Sequence, residues 1–152
     1  MSRRHKKLLC EMTATIEAPP DRVAALVLTA RPGPIGPGNA WLLQDTDGVL
    51  TGGPRHFVAR LAGHAMKIDV DEHTFAMQGG WWYRGEYAVE AHPRGTCLRH
   101  RVYDVAERMR WGVPPANRFF IGFTSRQKQN FAALLARVGA ELNATTRMEG
   151  RS

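Results

Sequence analysis

Tyr83, Tyr87, His100 and Asp104 are the side chains of this sequence best placed to donate, accept or move a proton at one location. All four fall in "WWYRGEYAVEAHPRGTCLRHRVYDV", residues 81–105, which reads as two strands around a turn. A strand sends alternate side chains to opposite faces, so parity sorts this hairpin before any fold is known. One set holds Arg84, Glu86, Glu90, Arg99 and Arg101, opposite charges on neighbouring strands that suit a solvated face. The other holds Tyr83, Tyr87, Val89 and Ala91 facing Leu98, His100, Val102 and Asp104. Burying the first set would bury five charges, so the second set is the inner face.

Phenols with an ordinary pKa near 10 keep their protons at neutral pH, so the tyrosines suit hydrogen-bond donation or the acid role. His100 reads equally as a proton-transfer group and as a hydrogen-bonded core imidazole. His100 and Asp104 lie about 13 Å apart along the strand, so each needs a different neighbour or a ligand between them. A bulge at Gly79, Gly80 or Gly85 would exchange the two faces, which the accessibility of Arg99 against His100 settles.

The elements that position these groups follow from periodicity. "LLCEMTATIEA" alternates Cys10, Met12, Ala14 and Ile16 with Glu11, Thr13, Thr15 and Glu17, a half-buried strand. "PPDRVAALVLTA" follows as a short helix with Pro20 in its first turn and Val23, Leu26 and Val27 on one side. "RPGPIGPGNA" is a Pro/Gly connector unsuited to a regular element, a lid or a plain link. Strand signals then recur in "AWLLQD", "RHFVARLAG", "HAMKIDVD" and "TFAMQGG", and short loops imply an antiparallel meander. The segment 116–143 forms a long helix with Phe120, Phe123, Phe131, Leu134, Val138 and Leu142 in one stripe, a face that the sheet must cover. Residues 1–7 and 144–152 read as disordered tails around a single domain, 8–143.

The formal charge is +7, and Arg3, Arg4, Lys6 and Lys7 in the basic tail supply four of those charges. No aromatic-interleaved basic strand or recognition helix accompanies it, so nucleic acid is not expected. No apolar run approaches the length of a membrane span or a secretory leader, which points to the cytoplasm and no membrane span. Cys10 and Cys97 match no metal spacing and sit on opposite faces, so free thiols are expected. His56, His64 and His73 fall on successive strands without a compact ligand pattern, and no phosphate loop or nucleophile elbow occurs, so neither metal nor cofactor is expected.

Three signatures, "TATIEAPPDRVAALV", "GEYAVEAHPRGTCLRHRV" and "NRFFIGFTSRQKQNFAALLARVGAEL", together with the order strand, short helix, antiparallel strands and long C-terminal helix, resemble the START-like (SRPBCC) superfamily. The resemblance implies an α+β helix-grip fold: a curved antiparallel sheet of about seven strands wrapped around the long helix, with an internal cavity. It further implies a hydrophobic small-molecule partner, polycyclic or polyketide-like, and a monomer or homodimer. Inward polar groups then become markers in an apolar chamber. On that reading Met66, Ile68, Met77, Trp82, Tyr83, Tyr87, His100, Phe120, Phe123, Gln127, Asn130 and Phe131 contact the ligand. Met12 and Phe57 extend the wall, and one of Trp81 and Trp82 lines the mouth. The family's roles leave three alternatives. The first is a carrier, sequestration or self-resistance protein. The second is a cyclase, aromatase or dehydratase using Tyr83, Tyr87, His100 and Asp104 as acid and base groups. The third is a co-chaperone or protein-interaction domain.

Overall fold

The computed structural model describes residues 7–44, 46–79, 83–105 and 116–149, with side chains from 125 onward in the last segment. Its order is β1 (Lys7–Ile16), α1 (Pro20–Val27), β2 (Gly33–Pro34), a 3₁₀ turn (Trp41–Leu43), β3 (Gly48–Gly52), β4 (His56–Leu61), β5 (His64–Val70), β6 (Thr74–Gly79), β7 (Tyr83–His92), β8 (Gly95–Asp104), α2 (Ala116–Leu142) and β9 (Thr146–Met148). Among the described residues the strands form one nine-stranded antiparallel sheet in the order β2-β3-β4-β5-β6-β7-β8-β1-β9. The chain is thus α+β, a large antiparallel sheet with one long C-terminal helix, consistent with a helix grip. No described helix is long and apolar enough to cross a membrane.

The meander from β4 to β8 pairs each strand with the next, and β8 then pairs with β1 from the other end of the sequence. Along β8, Thr96, Leu98, His100 and Val102 are buried and Cys97, Arg99 and Arg101 are not, so parity assigns the inner face as the charges require. The β6–β7 and β7–β8 registers run unbroken through Gly79 and Gly85, and the bulge lies instead between Leu8 and Cys10. Outside, Arg99 bridges Glu11 and Glu90, Arg101 pairs with Glu11, and Arg84 ties to Asp69, Glu86 and Gln78.

The α2 stripe buries Phe131, Leu134, Leu135, Val138 and Leu142, and the helix packs on β1 and β9. Asn143 takes a left-handed φ of 52°, and the Ala144 N–H donates to the Gly139 carbonyl, which ends the helix and turns the chain back. At the other end α1 seats Val23 and Val27, both fully buried, against β7 and β8.

Four expectations are corrected. The tail after 143 is not disordered through 149. Residues 146–148 add a strand to the free edge of β1, and Thr15 donates its hydroxyl to Glu149. Within the segment "AWLLQD", Trp41–Leu43 form a 3₁₀ turn rather than a strand. Ala40 sits at φ 53° before it, and Trp41 and Leu43 both plug into the core, a spacing that alternation alone cannot distinguish from a strand. The Pro/Gly connector does hold a regular piece, β2, because an edge strand tolerates a proline. Buried Asn39 organises the rest: its Oδ1 accepts from the Arg31 N–H at 2.8 Å and its Nδ2 donates to the Arg31 and Pro34 carbonyls at 2.8 and 3.0 Å. With β2 and β9 included, the sheet exceeds the roughly seven strands expected. Cys10 and Cys97 are free thiols on opposite faces.

Gly95 opens β8 with φ 139°, and a Cβ there would lie 2.6 Å from the Ile16 carbonyl oxygen and 2.8 Å from that of Ala18. Backbone, not a movable side chain, blocks it. Gly95→Ala is expected to destabilise the fold by about 2–4 kcal/mol, read from urea unfolding midpoints.

Candidate functional site

The registers map the inner face as rows across the sheet. One row runs Ala59, Met66, Gly79, Tyr83 and Asp104; the next runs Phe57, Ile68, Met77, Gly85, Val102 and Cys10; a third runs Val70, Phe75, Tyr87, His100 and Met12. Burial changes along these rows. Toward the α1 end, Val89, Leu98 and Ile16 are sealed, whereas Met66, Gly79, Tyr83, Tyr87, Asp104 and Cys10 keep partial exposure. The inner face is sealed at the α1 end, and partial exposure falls on a few of its residues, Tyr83, Tyr87, Asp104 and Cys10 among them.

His100 is the centre of this group. It is 2% exposed. Tyr87 stacks on it at 4.0 Å between ring centroids with a 10° interplanar angle, and Phe131 of α2 lies at 5.9 Å on a second side. The Glu86 carbonyl, 3.2 Å from Nδ1, accepts from that nitrogen, which leaves Nε2 as the unprotonated one in the neutral ring. Burial pushes the imidazole down to about 4, against smaller upward contributions from the Glu86 carbonyl and the Gln127 side chain. Burial also pushes the Tyr83 phenol up to about 12, with Cys10 adding to the rise, and raises Tyr87 further, with the nearby Arg137 charge opposing. Cys10 is itself held above the ordinary thiol range by burial, so it is a poor nucleophile.

Of the residues singled out in the sequence, Tyr87, His100, Gln127 and Phe131 come together. Tyr83 joins them by leaning along its strand, its Oη 2.5 Å from where a Gly85 Cβ would stand. Met66 sits beside Tyr83's row partner Gly79, and Ile68 and Met77 are core wall. Asp104 stands opposite Tyr83 at the end of β8, half-buried. Asn130 is exposed on α2, one residue before Phe131 and so about 100° round the helix from the inner stripe. Trp81 and Trp82 lie outside the described residues, as do the side chains of Phe120 and Phe123. Gly85 was missed as a site residue; an inward glycine in mid-strand, where a side chain could otherwise pack, is the signal that marks it.

Other polar groups gather outside. An open groove on the outer face is lined by Thr51, His56, Lys67, Asp69, Gln78 and Arg84, but its central guanidinium is fixed by Asp69 and Glu86 at 3.1 and 2.8 Å. His56 pairs with Asp69 at 2.9 Å, and His64 and His73 are exposed on other strands and turns. Among the described residues no three His, Cys, Asp or Glu side chains converge as a metal site would require.

His100 makes stability depend on pH with a definite sign. Its folded value of about 4 lies below the unfolded 6.5, so unfolding takes up a proton between them. Stability is therefore full above about pH 6.5 and falls on acidification toward pH 4, by about 2–3 kcal/mol from this group. Urea unfolding across that range is expected to show the slope in the native protein, and His100→Asn is expected to flatten it.

No family model and no curated protein matches this sequence. Among solved structures the chain is similar to CalU16 from Micromonospora echinospora, with 14% identity, 91% of each chain covered and a TM-score of 0.39.

Proposed function

We propose that this chain is a START-like helix-grip domain that binds a hydrophobic, polycyclic or polyketide-like small molecule between the inner sheet face and α2, as a carrier, sequestration or self-resistance protein. The domain takes in residues 8–143 and the β9 segment behind them. It works in the cytoplasm, as a monomer or homodimer, without metal or cofactor. One observation supports binding over turnover. At neutral pH the polar cluster around His100 holds, among the described residues, two protonated phenols, an uncharged imidazole and the Gln127 amide, with the Asp104 carboxyl opposite Tyr83 at the end of β8. Such a set offers donors and an acceptor to a carbonyl-bearing ligand and holds the polar part of an otherwise greasy molecule in register. It is poorly matched to proton transfer. A base whose conjugate acid titrates near 4 pulls weakly on a substrate proton, and a phenol near 12 gives one up reluctantly. The apolar side chains exposed among the described residues, Leu8, Val49 and Val58, belong to three strands and do not favour a protein-docking role.

The test is a native-mass and thermal-shift screen against planar polyketides and fatty acids. A planar polyketide is expected to raise the melting temperature and to be recovered unchanged, and Tyr87→Phe is expected to weaken its binding about fivefold to tenfold. Loss of water from the ligand, abolished by the same substitution, would put the dehydratase reading in its place.

A further inference from the structure

On the outer face of the sheet one row holds more hydrogen-bond donors than partners for them. Successive registers place Thr51, Val58, Lys67, Gln78 and Arg84 side by side across β3 to β7. All five line the open outer groove, whose volume of about 760 Å³ lies within the range of small-molecule sites. The Arg84 guanidinium is already oriented: Nε donates to Glu86 at 2.8 Å, and Nη1 donates to Asp69 at 3.1 Å and to Gln78 Oε1 at 2.9 Å. Its Nη2 donors take no partner among the described residues. Because the Gln78 oxygen accepts from Arg84, the amide is fixed and its Nε2 donors are likewise left without a described partner. Lys67, opposite Gln78 on β5, is exposed and has no ion pair among the described residues. The neighbouring Asp69 carboxylate is engaged through both oxygens, Oδ1 with His56 at 2.9 Å and Oδ2 with Arg84.

We propose that this donor row is a second binding site, separate from the inner face, for a small organic acid with one carboxylate and an apolar body. A carboxylate is the complementary group because it only accepts hydrogen bonds, whereas a hydroxyl or an amide would bring further donors to a place that already has too many. Neighbouring strands stand about 4.8 Å apart, so one carboxylate can meet two of the three donor side chains at once. A single negative charge suits the groove, since Asp69 and Glu86 stay beside it and a dianion would add to their repulsion. The apolar body has its place on Val58, which follows Lys67 in the row and is 37% exposed, and on Val105 in the lining. Arg84 and Gln78 are held before any ligand arrives, so little side-chain freedom is lost on binding.

The experiment titrates the protein with 2-naphthoate and with 2-naphthamide, which share their rings and differ in the charged acceptor, and follows the backbone amides by two-dimensional NMR. The native protein is expected to bind the acid about tenfold more tightly than the amide, with shifts at Val58, Lys67, Gln78 and Arg84. Gln78→Glu keeps the side-chain shape and the contact to Arg84 while replacing the donor with a charged acceptor. It is expected to weaken the acid at least about tenfold and to leave the amide within about twofold. Lys67→Met is expected to weaken the acid about fivefold, whereas Lys128→Met, which removes the same charge from an exposed position of α2, is expected to stay within about twofold. A native protein that takes neither probe, or both equally well, overturns the outer site, as does a loss in Lys128→Met that matches the one in Lys67→Met. Shifts confined to Tyr87, His100 and Phe131 also overturn it, and would leave the inner-face reading standing.

Discussion

The register of β1, β8 and β7 is the constraint on which the rest depends. In an antiparallel ladder a one-residue slip moves every side chain to the opposite face, so a single pairing decides where each polar group ends up. Here Tyr87 opposes His100 and His100 opposes Met12, while Arg99 and Arg101 fall outside with Glu11 and Glu90. The outer ion pairs are exposed and individually weak. Their contribution is to specify: any slipped register would bury several charges, and that penalty far exceeds what the pairs themselves supply.

Desolvation then acts on what the register has placed inside. The same burial lowers His100 and raises Tyr83 and Tyr87, because in each case it disfavours the charged form. The result is a polar cluster without charge. It stays compatible with an apolar core, since the imidazole stacks on Tyr87 and donates to the Glu86 carbonyl. The cluster is therefore both part of the packing and the part of the inner face able to recognise polarity in a ligand.

Much of this was legible in the sequence. Clean alternation from His56 to Asp104 gave the meander and its inner face, and the stripe ending at Leu142 gave the long helix, because burial on one side writes a period into the residues. What stayed hidden has physical causes. The three residues of β9 are too few to carry a period, and they owe their strand to the edge that β1 offers. Trp41 and Leu43 mimic alternation while lying in a tight turn set by Ala40. Within the site, parity found Tyr83 but not its lean over Gly85, which depends on the rotamer and on a missing Cβ. Asn130 was drawn into the site by its nearness in sequence to Gln127 and Phe131, and the helical rotation turns it out.

The placing of β1 between β8 and β9 bears on how the molecule comes into being. Its residues 7–16 find their partners at 96–104 and 146–148, so the β8–β1–β9 side of the sheet is joined by the most distant parts of the sequence. Loops of that length must close before the contacts they bring reward them, which puts this topology on the slow side of single-domain folding. On the ribosome the meander β3 to β7 can assemble while β1 waits with both edges unpaired. An apolar-faced strand in that condition is open to intermolecular pairing until β8 is made.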